Sequence, residues 1–323
     1  MNKRDKGVDF LRAIALFCIV LAHVYPPVLL SQLRSFDVPL MVFLSGACFH
    51  YKKYKWGGYC AKRFVRLIIP TWIFISIYFL FRFVVYSEIP SNDTAVDYYT
   101  LQTNWYVWII RVFFWIALVA PFSVYFDKLR SNQLKALFFF ISIVLEILEM
   151  RIRGKYGVYL IELMPYFMIF ILGTAIKNFT KRDIKLLAAS CLFLYAVLGF
   201  YIYIKNGYWI PTQAYKYPPR MYYMAYALFI ILLLWENKDV INKIQNRPII
   251  NAINFISSHS IWIYFWHILF LDLIHFESWL INYVLVLILA MIVVYIQEGI
   301  LTRVVDHLNN EKLINCITLI FRG

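Results

Sequence analysis

The feature that most constrains this chain is a succession of apolar runs, each near the length a helix needs to cross a bilayer and almost free of charge. A bilayer core takes about 20 apolar residues in helical form. Lipid offers no water to pair backbone N–H and C=O groups, so only helices or closed barrels can span it. A barrel would show alternating segments of about ten residues, whereas runs such as NWYVWIIRVFFWIALVAP (104–121) do not alternate and carry a single charge, Arg111. Composition agrees. Hydrophobic residues make up 62% of the 323 residues and charged residues 15%, against roughly 45–50% and about 25% in soluble domains. A mean hydropathy of +0.66 excludes a soluble enzyme, a disordered chain and a disulfide scaffold. The fold class expected is all-α: a polytopic transmembrane helical bundle of about ten spans. These fall at 8–29, 37–51, 67–87, 104–126, 136–150, 157–176, 184–204, 220–235, 252–274 and 279–301. The first run reads as a span rather than a cleavable signal, and 1–323 reads as a single membrane domain.

The formal net charge of +14 invites a nucleic-acid partner, but the distribution of the basic residues does not. They concentrate at Lys3, Arg4 and Lys6, in 52–66, 128–135, 177–185 and 238–247, and in the tail after 301. These are alternate loops, the pattern that sets orientation in a membrane. Both termini are therefore expected in the cytoplasm, and no nucleic acid is expected as a partner. The loop RIRGKYG (151–157) runs against the pattern locally. The tail 302–323 is mildly amphipathic; it could lie along the membrane surface or dock on the bundle. Five cysteines, with no CxxC, suggest neither disulfide nor zinc site.

Ionisable residues inside spans are costly and mark candidates for function. The first span, GVDFLRAIALFCIVLAHVYPP, holds Asp9, Arg12 and His23. At 100° per residue Arg12 and His23 return to within about 20° of one face, about 16 Å apart along the axis. Asp9 shares that stripe. An Arg at the cytoplasmic mouth can hold a polyanion, and a desolvated neutral His can act as general base. A plainer reading makes Asp9–Arg12 a pair that fixes the helix end, with His23 bonded to a neighbouring helix.

The order of motifs resembles the membrane acyltransferase type 3 family. Asp9-x-x-Arg12 followed by His23 is similar to its first helix. VPLMVFLSGACF (38–49), ending in Ser45-Gly46, resembles its second. KRFVRLIIPTW (62–72), NWYVWIIRVFFWIALVAP (104–121) and IWIYFWHILF (261–270), which places His267, resemble segments that follow in order. The chain departs from many members at Asn104, where His is common, and at Arg111, where some carry Glu. The resemblance implies transfer of an acyl group, usually acetyl, from cytoplasmic acyl-CoA to a hydroxyl of a cell-surface polysaccharide or lipid-linked sugar. It implies a bacterial inner-membrane location and no bound cofactor, acyl-CoA being a co-substrate.

A donor with several phosphates calls for a basic cytoplasmic site, which Arg12, Lys62, Arg63 and Arg66 can supply through their donor groups. Helix rise places Arg82 and Arg111 in the outer half with His23 and His267. That predicts a polar outward chamber in which an acceptor hydroxyl is deprotonated by His23, while Arg82, Arg111, Trp105 or His267 holds the acceptor or the oxyanion. Snorkelling explains Arg82 equally well. Glu146, Glu149 and Glu162 are expected to pair with Arg151 and Arg153 or, alternatively, to bind sugar hydroxyls. His259, His267 and His275 recur at eight-residue intervals, which does not suit a metal site. Trp209 and several tyrosines read as an interfacial belt. The rival reading is a transporter, flippase or export partner for a lipid-linked glycan, although no inverted repeat is visible.

Overall fold

The computed structural model describes residues 5–50, 56–103, 105–126, 133, 140–141, 143–144, 155–244 and 246–322. The expected span 136–150, with Glu146, Glu149, Arg151, Arg153 and Asn104, lies essentially outside the described residues. The described chain is helical: α1 (Lys6–Ala22), α2 (Val28–Leu33), α3 (Asp37–Ala47), α4 (Trp56–Tyr86), α5 (Asn92–Tyr99), α6 (Trp108–Val119), α7 (Lys155–Ala175), α8 (Lys181–Asn206), α9 (Met221–Glu236), α10 (Arg247–Ser258), α11 (Ser260–Leu271), α12 (Trp279–Asp306) and α13 (Glu311–Phe321). Six stretches among them are long and apolar enough to cross a membrane: Val28–Ala47, Trp56–Tyr86, Trp108–Tyr125, Ile161–Asn178, Lys181–Asn206 and Trp279–Asp306. Ser260–Leu271 is a shorter apolar helix.

The boundaries follow local chemistry. Asp5 caps α1, its carboxylate accepting from the N–H groups of Gly7 at 2.9 Å and Val8 at 3.2 Å, which satisfies donors a helix start leaves orphaned. The helix stops at His23, before Tyr25 at φ 52° and Pro26-Pro27, so the first span ends earlier than its apolar pattern suggests. Thr180 and Asp183 form a capping box on α8, and Gly207 closes it at φ 79°, a conformation that favours glycine. Pro70 and Pro165 sit inside α4 and α7. The expected span 252–274 is two helices, because the chain turns at His259 between α10 and α11.

The chain forms two compact units, Met1–Lys53 with Val119–Asn254, and Tyr54–Leu118 with Phe255–Gly323. In the first, α3 packs on α7 and α1, and α8 on α9. Gly46 and Gly173 face each other's helices so closely that a Cβ on Gly46 would strike the Phe170 carbonyl oxygen and one on Gly173 that of Phe43. Lipid tails are as apolar as leucine, so such close backbone approach and its dispersion contacts do the work that water-driven burial does elsewhere. In the second unit, α11 packs on α12 and α4, with Phe74 and Phe265 stacked at 4.8 Å. Helix α12 buries Val286, Ala290 and Val294, a single stripe at four-residue spacing. It exposes Leu280, Ile281, Val284, Ile288, Ile292 and Ile296, as a lipid-facing helix does.

The tail docks within the second unit. Trp262 Nε1 donates to the Ile320 carbonyl at 2.9 Å, and its ring stacks on Phe321 at 5.5 Å. Gln297 donates to the Phe321 carbonyl at 3.1 Å, and Arg322 Nε meets both Glu298 oxygens at 2.8 and 3.0 Å. Glu298 also bonds His259 at 3.1 Å. These side chains close on the last turn of α13.

Candidate active site

In the first unit, α1 presents Asp9 and Arg12 one turn apart. Arg12 Nη1 lies 3.5 Å from Asp9 Oδ1; the carboxylate is buried and the guanidinium about one-quarter exposed at 26%. Arg12 Nη2 also reaches Cys48 Sγ at 4.0 Å. A buried carboxylate on one side and solvent on the other leave the guanidinium oriented yet reachable. His23 is the C-cap of the same helix, its backbone N–H donating to Val20 at 3.1 Å, and is half-buried. Arg12 and His23 are thus joined by one uninterrupted helix with a rise of about 16 Å between them.

Close in sequence to His23 lies a charged cluster that the sequence analysis did not single out. Arg34 Nη1 meets Asp37 Oδ2 at 2.7 Å and Lys216 Nζ lies 3.6 Å from Asp37 Oδ1, all three residues buried. The Val38 N–H donates to Asp37 Oδ1 at 2.7 Å and Arg34 Nη2 to Gln213 at 3.3 Å. Burial pushes the Lys216 ammonium below its usual range, and Arg34 pushes the same way, against the pull of Asp37. The signal for Arg34 and Asp37 was present, two opposite charges three residues apart. Lys216, far along the chain, gave none. Glu162 is buried on α7.

The remaining candidates belong to the second unit. On α4, Arg63 Nε donates to the Tyr59 hydroxyl at 3.2 Å, its guanidinium lying over that ring at 5.2 Å. Arg66 is exposed one turn further on, and Lys62 is exposed as well. The proposed donor-binding residues are therefore divided between the units. Arg82 pairs with Glu88 and, at 3.2 Å, with Asp272 Oδ2. Tyr78 donates to the same Oδ2 at 2.6 Å and Tyr86 to the Asp272 carbonyl at 2.7 Å. Trp105 packs 4.7 Å from Tyr78, 5.1 Å from Tyr98 and 4.5 Å from Tyr106. Burial pushes the Tyr98 phenol up to about 12, so it stays a donor at physiological pH. Arg111 is buried and donates to the Leu101 carbonyl at 2.7 Å, where the backbone turns through φ 58°. His267 is fully buried in α11, and its Nδ1 contacts the Tyr264 carbonyl. Within this unit, Arg82 and Trp105 share the Tyr78 neighbourhood, whereas the bonds seen for Arg111 and His267 go to backbone carbonyls. Asp272 is the polar residue here that sequence reasoning missed. An acid just after an apolar run looks like any loop acid until its partners are seen.

Among the described residues no group of three or more His, Cys, Asp or Glu could hold a metal ion. The first unit offers an arginine near the start of α1 and a histidine at its far end; the second, taken by itself, offers basic groups on α4 and a carboxylate–guanidinium pair among tyrosines.

A family model described as an acyltransferase domain matches residues 5–298, nearly the whole chain. The chain belongs to the acyltransferase type 3 family. This acyltransferase is a multi-pass membrane protein, its apolar helices in keeping with that family. The match begins at Asp5, the cap of α1, and ends at Glu298, the residue that grips Arg322 of the docked tail. No curated protein and no solved structure matches the acyltransferase chain.

Proposed function

We propose that this chain is an O-acyltransferase of a bacterial inner membrane that moves an acetyl group from cytoplasmic acetyl-CoA to a hydroxyl of a cell-surface or lipid-linked polysaccharide. The observation that carries the reading is α1. One unbroken helix bears a carboxylate-oriented, solvent-reachable arginine near one end and a half-buried histidine at the other. The rise of about 16 Å between them suits a long donor whose phosphates and thioester lie at opposite ends of an extended arm.

In this mechanism Arg12, oriented by Asp9, and Arg63 and Arg66 hold the donor phosphates through charge-assisted hydrogen bonds. His23 takes the proton of the acceptor hydroxyl as its oxygen attacks the thioester carbonyl. The C–S bond breaks, the ester forms, and the CoA thiolate leaves with the proton that His23 returns. Arg82, Arg111, Trp105 and His267 serve the acceptor or the developing oxyanion. The protein consumes acyl-CoA as co-substrate and needs no resident cofactor.

The test is mass spectrometry of surface glycan from cells lacking the gene, complemented with wild type or His23→Ala. Support is an acetyl mass increment that vanishes on deletion, returns with wild type and stays absent with a stably inserted variant. Glycan that falls in amount with its acylation unchanged overturns the reading in favour of transport.

A further inference from the structure

The cluster around Asp272 has chemistry left over. Asp272 accepts from Tyr78 and Arg82 through Oδ2 alone, and Arg82 uses Nη1 and Nη2 on Asp272 and Glu88. Among the described residues nothing bonds Asp272 Oδ1 or Arg82 Nε. The side chains of Asp272 and Arg82 are 21% and 32% exposed, sheltered but reachable. A carboxylate oxygen with free lone pairs thus lies close to a guanidinium with a free N–H. That is one acceptor and one donor on a rigid frame, the complement of two neighbouring hydroxyls, each of which both donates and accepts.

Charge narrows the ligand. Two carboxylates, Asp272 and Glu88, face one arginine, so the cluster has no surplus positive charge for a phosphate or a uronic acid. The guanidinium between them equally disfavours a metal cation. An uncharged polyol remains. The surroundings add a second criterion. Tyr78, Tyr98 and Trp105 form a contiguous aromatic wall, with centroids 4.7 and 5.1 Å from Trp105, and Tyr98 feels the charges of both Arg82 and Asp272. An apolar wall beside a few convergent polar groups is the usual make-up of a small-molecule site, and the C–H face of a sugar ring is apolar while its rim is hydroxylic.

We infer that Asp272 and Arg82, walled by Tyr78, Tyr98 and Trp105, form the subsite for an uncharged hexopyranose of the acceptor, with Asp272 and Arg82 binding two adjacent hydroxyls. The inference rests on the glycan-acceptor reading above and adds to it the sugar's charge class and the residues that bind it.

The experiment uses the full-length protein in lipid nanodiscs, with methyl glycosides of glucose, galactose, mannose and rhamnose as probes in saturation-transfer NMR. Binding of CoA is measured separately on the same samples. At least one neutral glycoside is expected to bind wild type. Asp272→Asn, which keeps the side chain's shape, is expected to weaken it by about tenfold or more, the loss of one charge-assisted hydrogen bond. Trp105→Ala is expected to weaken it too, and CoA binding should be unchanged in both. Equal glycoside binding by wild type and Asp272→Asn overturns the subsite. So does a wild type that binds CoA but none of the glycosides, which leaves the donor reading standing. Asp272-dependent glycoside binding without CoA binding upholds the subsite and removes the acyltransferase mechanism instead.

Discussion

The Arg34 guanidinium meets the Asp37 carboxylate at 2.7 Å with both residues buried, and the same carboxylate faces Lys216 at 3.6 Å. One acid thus holds two cations in the link between the first helix and α3. Removing one partner of a buried pair leaves the other charge uncompensated, which costs roughly 3–5 kcal/mol. Asp37→Ala is therefore expected to lower the unfolding temperature in detergent far more than Asp93→Ala, a change on the short helix α5. An unfolding temperature unchanged by Asp37→Ala would show that the cluster adds no stability.

The Gly46–Gly173 contact makes a sharper steric prediction. Each Cβ would collide with a backbone carbonyl of the opposite helix, which cannot swing aside as a side chain can. Gly46→Ala and Gly173→Ala are expected to destabilise by about 1–3 kcal/mol or more through overpacking. Gly299→Ala, mid-helix with open space around it, should be neutral or stabilise by roughly 0.5–1 kcal/mol. Denaturant titration of the three variants decides it.

At the start of the chain, burial would raise the Asp5 carboxyl. It is outweighed by the bond from Lys238 at 2.7 Å and those from the Val8 and Gly7 N–H groups, which hold the group below its ordinary 3.8. A carboxyl depressed on folding contributes stability that is present above about pH 4 and lost as pH falls through the folded value. Asp5→Asn is expected to lower stability at neutral pH and to flatten the acid side of the stability–pH curve, the variant and wild type converging at the lowest pH. An acid limb identical to wild type would refute this.

The docked tail is held at its end by Glu298, which binds both Arg322 and His259. Arg322→Ala is expected to speed amide hydrogen exchange across α13 while leaving α4 and α12 protected. Uniform protection in the variant would mean that the Trp262 and Gln297 contacts to Ile320 and Phe321 secure the helix without Arg322.

If Arg12 holds donor phosphates, Arg12→Ala should raise KM for acetyl-CoA by about 10–100-fold, the loss of one charge-assisted contact, with a smaller change in kcat. His23→Ala should lower kcat with KM for acetyl-CoA nearly unchanged. Steady-state kinetics in nanodiscs separates the two.

What could be read from the residues depended on how far apart the interacting groups lie in the chain. Asp9, Arg12 and His23 sit on one helix, so helical geometry alone placed them, and the structure keeps that helix intact. The all-helical class followed equally directly from what lipid demands of a backbone. The turn at His259 was hidden because SSHSIW carries neither proline nor glycine, and the apolar run continues through it. Arg111 was read as a functional group from its depth. One bond it makes is to the carbonyl of Leu101, on a backbone turn that spacing does not reveal. Lys216 and Asp272 act through partners 179 and 190 or more residues distant, beyond any local pattern.

The second unit is assembled from two stretches of chain that translation separates, 54–118 and 255–323. When α4 first enters the membrane, Phe74 has no Phe265 to stack on, and Tyr78 and Arg82 have no Asp272. All three must wait until more than a hundred further residues have been made. At about 5–20 residues per second, α4 spends on the order of ten seconds or more with its polar groups exposed to lipid or to the insertion machinery. This acyltransferase therefore has a vulnerable interval during biogenesis rather than in its finished state. A chain arrested after residue 254 should leave α4 open to membrane quality-control proteases, and release of the remainder should close that window.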